Sequence, residues 1–139
     1  MPTATADWKR IFCPIDFSDA SRAAMELAAD LARRFGAELT LLHAKATSSM
    51  LQAAQSEPGQ LAEWQREAEG LGAPHVETST VAGEPETAIV NAATAGGFDL
   101  VVMGTHGRTG RDHALIGSVA ENVVRRSSVP VLTVHAAPA

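Results

Sequence analysis

Leu100-Val101-Val102-Met103 is apolar at every position. As a strand, such a run has no polar side to offer water. It must be covered on both faces, which is the situation of a central parallel strand between helix layers. The run opens directly into the connection from Gly104 to Gly117, and from Ser118 to Arg126 the pattern becomes helical. A strand, a glycine-spaced connection and a helix start, in that order, make an anion cradle. Glycine lets backbone N–H groups approach a ligand closely and take positive φ. Successive N–H groups form a concave nest, and a helix N-terminus adds unpaired donors with about half a positive charge.

The rest of the chain alternates in the same sense. Residues 10–15 read as a strand, and Ser18 reads as the N-cap of the first helix. Ala20, Ala23, Ala24, Leu27, Leu31 and Phe35 recur at helical spacing, and Gly36 is the stop. Leu39–Ala44 is a second strand. A connection over 45–59, interrupted at Glu57-Pro58-Gly59, leads to a helix over 60–70. Val76–Val81 is a third strand, at a sheet edge. Pro85 suits the first turn of a helix whose buried stripe is Ala88, Ile89, Ala92 and Ala93, ended by Gly96-Gly97. The helix Ser118–Arg126 carries Arg125 and Arg126 where they complement its dipole, and Val129–His135 closes the sheet.

Strand–helix alternation with right-handed crossovers predicts an α/β fold. The expectation is a single doubly wound three-layer domain over 1–139, with residues 1–8 flexible. Its five-stranded parallel sheet runs in order 3-2-1-4-5, with helices on both faces. In that order strands 1 and 4 are neighbours at the switch point, where ligands bind outside the strand carboxyl ends. Asp16 ends strand 1 and Gly104 ends strand 4. Two features far apart in the chain therefore meet where topology places a crevice.

The spacing of the connection is specific. Gly104-x2-Gly107-x9-Gly117-Ser118 resembles the nucleotide-phosphate signature of the ATP-binding branch of the universal stress protein family. Ile11-Phe12-Cys13-Pro14-Ile15-Asp16-Phe17-Ser18 resembles that family's first strand and its terminal Asp. Leu41-Leu42-His43-Ala44 resembles the second strand, Gly83-Glu84-Pro85 the third strand–helix junction, and Pro130-Val131-Leu132-Thr133-Val134 the last strand. The likeness spans nearly the whole chain except 46–74. It implies the same sheet order, an adenine-nucleotide ligand such as ATP, and a homodimer paired through strand 5.

Residue by residue, Gly104, Gly107 and Gly117 shape the phosphate cradle, with the Ser118 hydroxyl and the N–H groups of Ser118 and Val119 as donors. Ser118-Val119-Ala120-Glu121 also spells a capping box, which would occupy the same N–H groups. A Glu folded back beside phosphate would be repelled, so Glu121 is expected to turn away. Asp16 is a poor neighbour for phosphate and a good acceptor for ribose hydroxyls, the role the resemblance implies. Ile15 and Ala44 are expected to line the adenine slot, Ala44 with its backbone by the same resemblance, with Thr105 or Met103 at its border and Pro14 also among the nucleotide-binding residues. Arg108 and Arg111 flank the phosphate path, Arg108 as a contact. His106, His113 and Asp112 make a weak ligand set for zinc. Mg²⁺ arriving with the phosphates keeps water and phosphate oxygen as its ligands, so no metal site is assigned to the protein's own residues.

Composition narrows the field further. The net charge is −5, which argues against nucleic acid or an anionic membrane as a general partner. No apolar run approaches the length of a membrane span, and no secretory leader opens the chain. The single cysteine, Cys13, excludes an internal disulfide framework and fits a buried hydrophobe. A cytoplasmic protein is the expectation. Only Lys9 and Lys45 are lysines, and neither follows a glycine, so a Walker-A loop is missing. A Gly-x-Ser-x-Gly elbow is missing as well. The leading reading is a stress-response and signalling protein that binds ATP as a dimer and presents a nucleotide-dependent surface to a partner not named by the sequence. A slow ATPase or phosphotransferase ranks lower, because no lysine cradles the leaving phosphate. A dimeric interaction protein with an empty pocket ranks lowest.

Overall fold

The computed structural model of the chain describes residues 7–45, 50–105 and 117–136. Along these the elements run β1 (Arg10–Pro14), α1 (Asp19–Phe35), β2 (Glu38–Lys45), α2 (Met50–Gly70), β3 (His75–Ala82), α3 (Pro85–Ala95), β4 (Leu100–Gly104), α4 (Ser118–Arg126) and β5 (Val131–Val134). All strands are parallel, and the sheet order is β3-β2-β1-β4-β5. The alternation seen in the sequence produces the doubly wound sheet expected from it. β5 is shorter than the expected 129–135, and β3 lies at an edge.

Period-two alternation divides the core between two faces. Ile11, Cys13, Leu39, Leu41, Leu100 and Val102 pack with α1 and α2, whose Ala24, Ala28, Ala32, Leu61, Trp64 and Ala68 belong to the same cluster. Phe12, Leu42, Val101 and Met103 pack on the other side with Ile89 and Ala93 of α3 and Ala120 and Val123 of α4. β1 and β4 are buried through nearly their whole length, as an all-apolar central strand demands.

Alanine at the buried positions of α1 lets that helix lie close to the sheet. The approach is close at Gly104. A Cβ built there would fall 2.7 Å from the Ala20 carbonyl carbon and 2.8 Å from its Cβ. Gly104 therefore answers a packing demand of α1 on β4 before any ligand is considered. Gly36 ends α1 in the left-handed region, φ 65° and ψ 37°, its N–H bonded to the Ala32 carbonyl.

Two expectations are corrected. The stretch 45–59 is helix from Met50 onward, so Glu57-Pro58-Gly59 does not break α2. Proline costs one backbone hydrogen bond and about 3 kcal/mol inside a helix. The burial of Leu61, Trp64 and Ala68 one to three turns later outweighs that local preference. Trp8, placed in a flexible lead, instead packs on Phe35 with ring centroids 5.2 Å apart. Residues 1–6 and 46–49 lie outside the described residues.

Candidate functional site

β1 and β4 are neighbours at the switch point of the sheet, where a doubly wound fold leaves a crevice between the carboxyl ends of its strands, and those two ends are its rims. Ile11 pairs with Leu100 and Phe12 with Val101, so the two strands run side by side towards Asp16 and Gly104.

The β1 rim is locked by short-range hydrogen bonds. Ile15 N–H donates to the Leu42 carbonyl at 2.8 Å, continuing the sheet one residue past β1. Asp16 then turns the chain. Its Oδ1 accepts from Ser18 N–H at 3.0 Å, and its own N–H donates to Ser21 Oγ at 3.3 Å. Ser18 caps α1, with Oγ accepting from Ser21 N–H at 3.2 Å. Ser21 Oγ in turn donates to the Ser18 carbonyl at 3.1 Å. Among the described residues, Asp16 Oδ2 takes part in no protein hydrogen bond. It is half-buried and can accept from a ligand hydroxyl.

The β4 rim is built differently. Thr105, 2% exposed, donates its N–H to the Val134 carbonyl at 2.9 Å, and its Oγ1 lies 3.2 Å from His135 Nδ1. The Thr105 carbonyl accepts from Gly117 N–H, which closes the connection at its base. Gly117 is the N-cap of α4, with φ −74° and ψ 163°, and no side chain caps this helix. Ser118 is therefore the first helical residue and not the cap, so the Ser118–Glu121 capping box does not form. The Glu121 carboxylate instead accepts from Arg125 at 3.4 Å, and Asn122 Nδ2 donates to the Ser118 carbonyl at 2.9 Å. The exposed Ser118 hydroxyl and the first N–H groups of α4 are left at the crevice, with the positive end of the helix dipole behind them.

The expected base-slot residues divide between the faces. Met103 and Ala44 belong to the α3–α4 side, whereas the Ile15 side chain, 4% exposed, belongs to the α1–α2 core. Pro14 is buried at the end of β1. Val119 is half-buried against the α3–α4 cluster, so only its backbone faces the helix start. Gly107, Arg108 and Arg111 lie outside the described residues, as do His106, Asp112 and His113.

Phe17 is a site-region residue that sequence reasoning missed. Its backbone is left-handed, φ 64°, and its ring meets His43 and Trp64 edge-on. No local signal marks it, because one of those partners lies a helix and a strand away in the chain.

The perturbed titrations lie elsewhere. Hydrogen bonds from Arg34 and Arg33 hold the Asp30 carboxyl below its ordinary range, late in α1. A hydrogen bond to Glu77 raises His75, the first residue of β3. Both positions are at the opposite end of the sheet from the crevice. Burial pushes the Cys13 thiol up, which keeps it protonated and inert. Among the described residues no group of three or more His, Cys, Asp or Glu is arranged to hold a metal ion, and no helix is long and apolar enough to cross a membrane.

Residues 7–135 match the model of the universal stress protein family. The chain is 34% identical to universal stress protein MJ0531 of Methanocaldococcus jannaschii, over 91% of this chain and 82% of that one. Among solved structures it resembles universal stress protein UspA from Lactobacillus plantarum, at 26% identity and a TM-score of 0.85, covering 91% and 97% of the two chains. It also resembles a universal stress protein solved in complex with cAMP, at 31% identity and a TM-score of 0.78, covering 94% and 98%.

Proposed function

The chain belongs to the universal stress protein family, and on that premise we propose that it binds an adenine nucleotide, ATP in the first place, across the carboxyl ends of β1 and β4. The observation that carries this reading is the start of α4. At the switch point of the sheet, the helix after β4 begins on glycine with no side-chain cap, and the carboxylate that follows the neighbouring β1 keeps an oxygen that no described residue uses. Amides and a helix dipole suit phosphate, and a carboxylate suits ribose hydroxyls. The similar protein solved with cAMP carries the same three chemical parts in its ligand: base, ribose and phosphate.

In this reading Asp16 takes the ribose and the Ala44 backbone meets the base, with Pro14, Ile15, Met103 and Thr105 around it. The Ser118 hydroxyl and the Ser118 and Val119 amides take phosphate. The motif assigns Gly104, Gly107, Gly117 and Arg108 to the phosphate path. Mg²⁺ enters with the phosphates and needs no protein ligand. Two copies pair through β5, an edge strand on which Leu132 is 38% exposed. The nucleotide-dependent surface of that dimer is what a signalling partner reads.

Two measurements test this. Small molecules released from freshly purified protein are identified by mass spectrometry, and ATP binding is compared by calorimetry in wild type and Gly117→Val. An adenylate and an affinity loss of about tenfold or more are expected, with the fold retained, because the extended backbone at Gly117 accommodates a branched side chain. An unchanged Kd rejects the cradle. A monomeric mass in light scattering at micromolar concentration rejects the dimer.

A further inference from the structure

Phe17 is the only non-glycine residue with positive φ among the described residues. A left-handed backbone is strained for an ordinary L-residue. It persists where the surroundings over-determine it. Here the surroundings are aromatic. The Phe17 ring stands edge-on to His43, centroids 4.9 Å apart at 74°, and to Trp64, 5.2 Å apart at 85°. Edge-on ring contacts are favourable beyond burial alone, and two of them act against the backbone strain.

Trp64 is itself fixed. It is 4% exposed on α2, and the Arg22 guanidinium of α1 lies over its ring, 4.6 Å from the centroid. Arg22 also pairs with the Glu67 carboxylate, three residues beyond Trp64 on α2. A brace thus runs from α2 through Trp64 to Phe17, one residue from Asp16. The left-handed step at Phe17 is what folds Ser18 N–H back onto Asp16 Oδ1, and that bond fixes the carboxylate with Oδ2 uncommitted among the described residues.

We infer that Trp64, acting through Phe17, is a positioning residue for Asp16, and that this brace sets the chain's preference for ribose hydroxyls on its nucleotide. The inference rests on the adenine-nucleotide reading of the site. It assigns Trp64 of α2 a part in ligand selectivity.

The test compares ATP with its dideoxy analogue, which lacks both ribose hydroxyls, by calorimetry on four proteins: wild type, Trp64→Leu, Phe17→Gly and Trp64→Phe. Phe17→Gly still permits the turn, since glycine takes positive φ without penalty, but it no longer enforces it, because glycine takes negative φ as readily and the ring that held the step is gone. Wild type is expected to favour ATP by about tenfold. Trp64→Leu and Phe17→Gly narrow that ratio to about threefold or less, while Trp64→Phe restores most of it. Affinity for the dideoxy compound stays the same throughout, because the α4 amides are untouched. A purely structural role for Trp64 would lower the melting temperature and leave the ratio alone. A wild-type ratio in Phe17→Gly overturns the brace, and that variant decides the matter if Trp64→Leu does not fold. Wild type that binds both compounds equally overturns the brace and spares the cradle. Wild type that ignores both overturns the site reading, and the brace falls with it.

Discussion

Helices α1 and α4 start from neighbouring strands with nearly the same backbone and opposite chemistry. The N-cap of α1 is Ser18, φ −81° and ψ 168°, and its hydroxyl caps the first turn. The N-cap of α4 is Gly117, φ −74° and ψ 163°, with no side-chain cap. α3 offers a third solution, since Pro85 at its start has no N–H to satisfy. Glycine at an N-cap costs only a few tenths of a kcal/mol relative to Ser. So α4 forgoes little stability while keeping its donors open. The contrast shows how one fold assigns two jobs to equivalent positions. A side-chain oxygen makes the α1 start a rigid support, and its omission leaves the first amides of α4 open, as the proposed phosphate site requires.

The largest effect is expected where the two rims touch. Gly104→Val places a branched side chain at a position where even a Cβ lies 2.7 Å from the Ala20 backbone. α1 must lift off β4, with an expected loss of about 3 kcal/mol, the upper end for overpacking. Urea unfolding measures it, and unchanged stability would mean that α1 does not rest on β4 so closely. Next comes conversion of one helix start into the other. Gly117→Asp gives α4 a cap and a favourable first-turn charge, adding about 0.5 kcal/mol to the unliganded protein. The same carboxylate occupies the amides and repels phosphate, so ATP affinity falls by about tenfold or more. Stability up and binding down in a single variant is a signature that general damage cannot mimic. The reverse exchange, Ser18→Ala, removes the α1 cap and costs about 1 kcal/mol in thermal unfolding. The Asp16 bond to the Ser18 amide survives that change, since it uses the backbone, so ATP affinity should hold.

Much of this arrangement was legible from local pattern. Leu100 to Met103 announced a central strand, Ser18 and Gly36 bracketed α1, and the alternation of elements yielded the sheet order that brings Asp16 beside the end of β4. What escaped was set by contacts distant in sequence. Nothing near Phe17 forecasts a left-handed backbone, because Trp64 and His43 hold it. The stretch around Pro58 is helix-prone but reads as broken at Glu57-Pro58-Gly59, and the packing of Leu61, Trp64 and Ala68 decides that the helix runs through. Gly104 read as a ligand glycine alone, yet its missing Cβ is already required by Ala20 on a helix that precedes β4 by most of the chain. Gly107 and Arg108 fall outside the described residues, so their assignment rests on spacing.

The smallest expected effect separates the two helix starts most finely. The pattern Ser118-x-x-Glu121 would make α4 self-capped, like α1, if Ser118 were the N-cap. The cap sits one residue earlier, and Glu121 reaches Arg125 across one turn, with side chains about half exposed or more. An exposed pair of this kind contributes about 0.3–0.5 kcal/mol. Glu121→Gln should therefore change stability by no more than that. A working capping box would lose about 1 kcal/mol with its carboxylate. ATP affinity should hold or rise slightly, as a negative charge leaves the neighbourhood of the phosphates. A loss near 1 kcal/mol together with tighter ATP binding would mean that Glu121 and the nucleotide compete for the same amides, and that α4 is held closed by its own side chain until ligand displaces it.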